Sequence, residues 1–341
     1  MDQHHRRAPR IAVIGAGSWG TTVAAILARS APTTIWARSE DVVRDIVEKH
    51  RNSRYCGDVE LPESLRATGS LAEAVGEADT VVMGVPSHGF REILEQLVPH
   101  LRPWVPIVSL VKGLEAGTDL RMTEIVGQVL PGHPAGVLAG PNIAREILDG
   151  YAAAATLAMP DINTAAQLAE LFSTPRFRVY SSTDVVGAEL CGPLKNVFAI
   201  AAGMSDGAGA GHNTKAMVIT RAVREMAALG AALGGDPATF HGLAGTGDLI
   251  VTCTSPLSRN RRVGEALGRG ETTEEAMAGL TQVAEGVRSV AVVMRLAVRA
   301  GVDVPIAHEV DAVLNKGSTA REAYRGLLKQ APGHEVSGTS W

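Results

Sequence analysis

Cysteine is scarce: Cys56, Cys191 and Cys253 are the three among 341 residues. Their odd number and wide spacing suggest neither a disulfide framework nor a metal cluster, and no metal is expected. That usage fits a reducing cytoplasm. A large charge excess is missing too. The net charge of -4 and a pI near 6.2 argue against a general nucleic-acid binder, whose surface must answer a phosphate backbone. A small anionic ligand needs only a local basic pocket. No run approaches the ~20 apolar residues of a membrane span. The opening MDQHHRRAPR lacks the apolar core of a signal peptide, so residues 1–10 read as a flexible, solvated tail. No internal repeat or low-complexity linker is visible. With 45% hydrophobic and 20% charged residues the composition is that of a globular protein, long enough for one large domain or two medium ones.

What is present centres on residues 11–20, where four apolar β-formers run into Gly15-x-Gly17-x-x-Gly20. That order predicts a strand, a tight turn and the mouth of a helix over 21–28. Gly15 allows the turn, Gly17 lacks the Cβ that would hold a pyrophosphate off the backbone, and Gly20 lets helix and strand pack closely. Phosphates would rest on the helix's free N–H groups. The alternative is a glycine-rich turn that merely packs, but the strand–turn–helix setting is the one a dinucleotide site requires.

Strand and helix alternate through the first half. After a strand at 33–36, the position that usually carries a ribose-binding acid reads Ala37-Arg38-Ser39. An acid there would prefer NAD; Arg38 pairs instead with a 2'-phosphate, so NADPH is the first choice of cofactor and NADH remains possible. Alternatively Arg38 stacks on the adenine or faces water, leaving both cofactors usable. A helix over 41–51 leads to an irregular link from Asn52 towards Leu71. The buried strand from Thr80 ends in a Pro86 turn, which makes Ser87 and Phe90 candidates to line the nicotinamide side. The strand 107–111 delivers Lys112 at its end, facing the ligand crevice or else a solvated charge. Another strand ends at Gly140-Pro141-Asn142, and strands at 151–159 and 176–180 complete a sheet of seven or eight. Near 181–184 the β-type runs stop and helical periodicity takes over.

The helical half carries the chemistry. Lys195 and Asn196 lie beside a strongly apolar helix face. A buried ammonium needs a carboxylate or a ligand. If Pro193 marks the first turn of that helix, the positive end of the dipole also lowers the lysine's pKa towards the range of a general acid; otherwise Lys195 snorkels to solvent. Gly242-Leu-Ala-Gly-Thr-Gly247 is a second glycine-rich loop, unlike a P-loop, that delivers Asp248. With Ser255 as N-cap and Pro256 at the first helical position, Ser258 and Arg259 fall in or just after a first turn, where free N–H groups, a hydroxyl, a guanidinium and the Asn260 amide would form a phosphate site.

Taken in order, GAGSWGT, VPS, KGLE, GPNIA.E, LKN..AIAAG, GLAGTGDL..TC.S..SRNR and AEGV, over residues 11–324, resemble the NAD(P)-dependent glycerol-3-phosphate dehydrogenases of bacterial type. The resemblance implies an α/β N-terminal Rossmann-type domain over 11–187 and an all-α domain over 188–328 like the C-terminal part of 6-phosphogluconate dehydrogenase; the polar composition of the last stretch makes 329–341 a disordered tail. The resemblance also implies reversible reduction of dihydroxyacetone phosphate to sn-glycerol 3-phosphate for the phospholipid backbone, in a homodimer. By position, Lys195 matches the family's proton donor or acceptor, with Lys112 and Asp248 completing the polar cluster. Gly140, Asn142, Ser258, Arg259 and Asn260 match substrate contacts. Ser18, Trp19, Arg38, Tyr55, Lys112, Ala144, Arg259, Val283 and Glu285 match positions lining the cofactor, beside Gly15, Gly17 and Gly20.

Three residues depart from the family: Pro193 where Ala is common, Asn142 where Ser or Thr is common, and Ser39 where a second basic or polar residue is common. The first bears on the aim of Lys195, the second trades a hydroxyl contact for an amide, and the third weakens a strict NADPH preference. A β-hydroxyacid or ketopantoate-type reductase would share the first half and an essential lysine but would recognise a carboxylate, against which the Ser258–Arg261 run argues. A non-catalytic NAD(P)H sensor would be marked by the loss of Lys195 or Asp248, and both are present.

Overall fold

The structure, a computed structural model, describes residues 7–278 and 284–329. The chain divides into two compact units, one formed by 1–111 and 120–185, the other by 112–119 and 186–341. The first span is therefore not continuous from 11 to 187, as the sequence predicts: the segment Lys112–Asp119 packs with the helical unit.

The first unit is an eight-stranded sheet: β1 (Ile11–Ile14), β2 (Thr33–Trp36), β3 (Arg66–Thr68), β4 (Thr80–Met83), β5 (Ile107–Ser109), β6 (Ala135–Ala139), β7 (Ala153–Ala158) and β8 (Phe177–Ser182), in the order 3-2-1-4-5-6-7-8. Strands β1 to β6 are mutually parallel; β7 pairs antiparallel with β6 and parallel with β8. The apolar runs are continuous because both faces are covered. Ile11 and Val13 enter one core with α1 (Ser18–Leu27) and α5 (Ile162–Phe172), while Ala12 and Ile14 enter the other with α3 (Phe90–Leu97) and α4 (Met122–Val129). Helix α2 (Glu40–Lys49) follows β2. Strand β3 escapes the sequence reading because it is three residues long, at the sheet edge, with only Thr68 buried. The link expected from Asn52 also holds a helical turn, Ser53–Cys56.

The second unit is helical: α6 (Val185–Gly207), α7 (His212–Ala232), α8 (Asp248–Thr254), α9 (Arg259–Arg269), α10 (Glu285–Ala300), α11 (Pro305–Asn315) and α12 (Ala320–Lys329), with short turns between them. Glycines set the closest approach. A Cβ on Gly203 of α6 would stand 2.0 Å from the Arg261 carbonyl oxygen, and one on Gly264 of α9 would stand 2.0 Å from that of Ile200. The two helices meet backbone to backbone, as small residues allow. Contrary to the absence of any span-length apolar run, α6 is long and apolar enough to cross a membrane by length and composition, but 83% of its apolar window is buried inside the chain.

The expected tails differ in what can be described. Residues 1–6 and 330–341 lie outside the described residues, whereas residues 7–10 are tied down: the Arg10 N–H donates to Asp79 Oδ2 at 2.8 Å and Arg7 reaches the same oxygen. Val283 also lies outside the described residues.

Candidate active site

In the first unit the glycine motif is built as its spacing requires. Gly15 has φ +114, and a Cβ there would lie 2.8 Å from the Gly84 backbone; a Cβ on Gly20 would lie 2.0 Å from the Gly15 oxygen. Gly17, the N-cap of α1, faces open space, with no side-chain cap and no acid in the first turn. An uncapped helix end behind a bare glycine fits a pyrophosphate. Trp19 is held edge-on by Phe177 at 6.3 Å, while its buried Nε1 finds no partner. Ser18 donates its hydroxyl to the Tyr55 carbonyl at 2.8 Å, and Arg54 lies over the Tyr55 ring. Arg38 is exposed just past β2, with no carboxylate among the described residues paired to it, and Ser39 is the N-cap of α2.

At the end of β6, Gly140 takes φ +143, and a Cβ would press within 3.0 Å of Ala155. Beyond it both Oδ1 and Nδ2 of Asn142 are buried without a partner, and Ala144 opens a short helix. Orphaned buried polar atoms cost about 1–3 kcal/mol each, so the Asn142 amide and the Trp19 indole have the chemistry of groups that wait for a ligand. Phe90 departs from expectation: it is 0% exposed within the core under the sheet and lines nothing, because α3 begins there and turns its apolar face inward. Ser87, in the turn before it, is half-buried.

In the second unit Lys112, Lys195 and Asp248 converge. Lys195 Nζ donates to Asp248 Oδ1 at 3.0 Å and to Thr252 Oγ1 at 2.6 Å; Lys112 Nζ donates to Asp248 Oδ2 at 2.6 Å. Lys195 is 5% and Asp248 2% exposed. Burial, reinforced by the neighbouring Lys112, drives the Lys195 ammonium down to about 8, against the attraction of Asp248. Burial disfavours the Asp248 carboxylate, but the two lysines together outweigh it and hold the group below its usual range. The helix dipole expected from Pro193 has no part in this: Pro193 lies inside α6, about two turns from its start, so burial and charge rather than a helix end tune the lysine. Gly192 makes room for the partner, since a Cβ there would stand 2.9 Å from Lys112 Cα.

A chain of amides fixes these elements to one another. Asn196 Nδ2 donates to the Lys112 carbonyl at 3.2 Å, Asn260 Nδ2 to Asn196 Oδ1 at 2.9 Å, and the Gly286 N–H to Asn260 Oδ1 at 3.0 Å. Asn260, expected to touch substrate, thus has both ends of its amide engaged. Ser258, not Ser255, is the N-cap of α9: its Oγ accepts from the Arg261 N–H at 3.2 Å, which leaves the hydroxyl proton to donate. Arg259 is exposed at the first position of that helix, whereas Arg261 turns back to Asp206 at 2.8 Å. Glu285 opens α10; burial raises its pKa, opposed first by Arg259.

Two features of the cluster escape the sequence reading. Thr252, four residues after Asp248 on α8, donates its hydroxyl to the Asp248 carbonyl while accepting from Lys195; helical spacing is the signal that points to it. The glycine-rich segment before Asp248 is a turn of π-helix, Leu243–Gly247, continuous with α8 rather than a loop.

One unit thus carries a dinucleotide motif and the other an amide-and-ammonium cluster, and each half of the chain matches a family model. These are the NAD-dependent glycerol-3-phosphate dehydrogenase N-terminus over residues 10–165 and C-terminus over 184–325. The chain is 62% identical over 98% of both chains to a Mycobacterium avium protein named glycerol-3-phosphate dehydrogenase [NAD(P)+], and 60% identical over 99% of both to a Mycobacterium tuberculosis protein named glycerol-3-phosphate dehydrogenase [NAD(P)+] 1. Its fold superposes on the crystal structure of glycerol-3-phosphate dehydrogenase from Coxiella burnetii with a TM-score of 0.89 at 36% identity, covering 94% of this chain and 99% of that one. With both halves matched and the likeness running nearly end to end, the chain belongs to the NAD-dependent glycerol-3-phosphate dehydrogenase family.

Proposed function

We propose that this chain reduces dihydroxyacetone phosphate to sn-glycerol 3-phosphate, reversibly, with Lys195 as the general acid and base and NADPH preferred over NADH. The observation that carries the reading is the clamp of Asp248 on two lysines, one of them tuned to about 8. The nicotinamide supplies the hydride when bound; by the family resemblance, Gly15, Gly17, Ser18, Trp19, Gly20, Arg38, Tyr55, Ala144, Arg259 and Glu285 are the residues that would hold that cofactor. Lys195 Nζ gives its proton to the oxygen that becomes an alkoxide, and Lys112 stabilises the same developing charge. Asp248 keeps Lys195 protonated and aimed, and Thr252 fixes the remaining direction of its Nζ. Ser258 and Arg259 bind the substrate phosphate as a hydroxyl donor and a guanidinium at the amino end of α9; Gly140 and Asn142 are further substrate contacts on the family resemblance, and Asn260 can add only its second Nδ2 proton.

Arg38 supports the NADPH preference, because a guanidinium rather than a carboxylate follows β2. A cytoplasmic setting is supported by three free, buried cysteines. Supply of the glycerophospholipid backbone and assembly as a homodimer rest on the family resemblance. The test is oxidation of NADPH or NADH followed by absorbance after addition of dihydroxyacetone phosphate. Rapid oxidation that vanishes with unphosphorylated dihydroxyacetone establishes reaction and phosphate site together; no oxidation by protein that binds NADPH rejects the reading.

A further inference from the structure

Asn52 stands in the link after α2, where its own carbonyl accepts the Tyr55 and Cys56 N–H groups at 3.1 and 2.7 Å and so starts the turn Ser53–Cys56. It is 1% exposed. Its amide leaves this turn and reaches the dinucleotide motif: Nδ2 donates one proton to the Ala16 carbonyl at 2.9 Å and the other to Thr21 Oγ1 at 2.8 Å. Ala16 lies between the first two glycines of the motif, and Thr21 lies in the first turns of α1. Its Oδ1 meanwhile is buried with no partner. A residue kept only for packing would not bury an unsatisfied oxygen to place two N–H donors. The same link is pinned once more, through the Ser18 hydroxyl on the Tyr55 carbonyl at 2.8 Å.

We propose that Asn52 is a positioning residue for the dinucleotide, bracing the glycine turn against the start of α1 so that the helix end keeps its aim on the pyrophosphate; this rests on the cofactor reading above. The glycines that admit the phosphates also leave the turn without side chains of its own to stiffen it, and Gly17 faces open space. The bracing must then come from outside the motif, and one amide supplies it to both sides of the turn. The Ala16 carbonyl, a negative end that a phosphate would repel, is taken up by the Asn52 amide.

The test uses Asn52→Ala, Thr21→Val and the double variant of the full chain, reading the NADPH dissociation constant by titration, the KM for each substrate, and the unfolding temperature. Asn52→Ala should weaken NADPH binding about tenfold while the KM for dihydroxyacetone phosphate stays within about twofold. Thr21→Val should weaken it in the same direction, and the double variant should lose little more than Asn52→Ala alone, since both act through one bond. NADPH affinity within about twofold of the parent in Asn52→Ala, or equal losses for cofactor and substrate, would overturn the proposal. If Asn52→Ala fails to fold, Thr21→Val decides: unchanged NADPH affinity overturns it. A parent chain that binds neither NADPH nor NADH overturns the cofactor reading itself, and this inference with it.

Discussion

Lys195 and Asp248 meet at 3.0 Å where neither side chain has appreciable contact with solvent, so the aspartate is what keeps a buried ammonium charged near neutral pH. The isosteric change Asp248→Asn leaves two ammonium groups facing an amide. It should therefore lower kcat by roughly 10²-fold or more, with NADPH affinity nearly retained. The stability of the variant should also fall, by about 3–5 kcal/mol, as for a buried pair broken from one side. A kcat within about threefold of the parent, measured at pH 7, would remove Asp248 from the mechanism.

The pH profile follows from the same lysine. With Lys195 at about 8, the ammonium that the proposed proton transfer requires is present below that pH and is lost as pH rises through it. Reduction of dihydroxyacetone phosphate should fall on the alkaline side with an apparent pKa near 8, and oxidation of glycerol 3-phosphate, which needs the free amine, should rise over the same interval. Thr252→Val removes one acceptor of Nζ and should move both limbs to lower pH; coincident profiles for parent and variant would show that Thr252 does not tune the lysine.

Glu225 of α7 gives a stability prediction of opposite character. It is buried, and its two oxygens accept the Ile306 and Ala307 N–H groups at the start of α11, at 2.9 and 3.3 Å. Burial raises it to about 8 despite those bonds. Between the unfolded value near 4.5 and the folded value near 8, the folded state binds the extra proton, so stability falls as pH rises across that window. Glu225→Gln should flatten this slope in unfolding temperature between about pH 5 and 8. A slope equal to that of the parent would assign the pH dependence elsewhere.

Gly264→Ala tests the backbone contact that carries the helix of Lys195. The new methyl would stand 2.0 Å from the Ile200 carbonyl on α6, which also bears Lys195. Overpacking of this kind costs about 1–3 kcal/mol, and kcat should fall because α6 carries Lys195, the proposed acid. A variant of unchanged unfolding temperature and kcat would show that the two helices separate freely.

The residues of the site are legible in the sequence where chemistry and spacing coincide, and not where a contact depends on distant packing. The glycine turn, Lys112, Lys195 and Asp248 can be read because a turn, a strand end and an unusual buried charge each leave a local mark. Phe90 cannot be placed that way, because proximity to a strand end does not tell which face of the following helix turns inward. Pro256 makes Ser255 look like the cap, but the helix begins one turn later, where Ser258 satisfies the Arg261 N–H. The Asn196–Asn260 relay joins residues 64 apart in the chain, and nothing in either neighbourhood announces it. Strand β3 has three residues at a sheet edge and carries too little apolar pattern to be seen.

Arg38 decides the cofactor prediction. Its guanidinium lies just past β2, where a carboxylate would grip the ribose 2'-hydroxyl, and no acid among the described residues neutralises it. A charge-assisted contact to a 2'-phosphate is worth about 1.5–3 kcal/mol, which corresponds to roughly a tenfold to hundredfold preference. Arg38→Ser should therefore reduce kcat/KM for NADPH by at least about tenfold while leaving that for NADH within about threefold, because NADH carries no phosphate for the arginine to hold. Ser39, the N-cap of α2, adds no second cation, so the proposed preference rests on one side chain. Equal losses with both cofactors would place Arg38 against the adenine, and no loss with either would leave it in water; in both cases the chain would use the two cofactors alike.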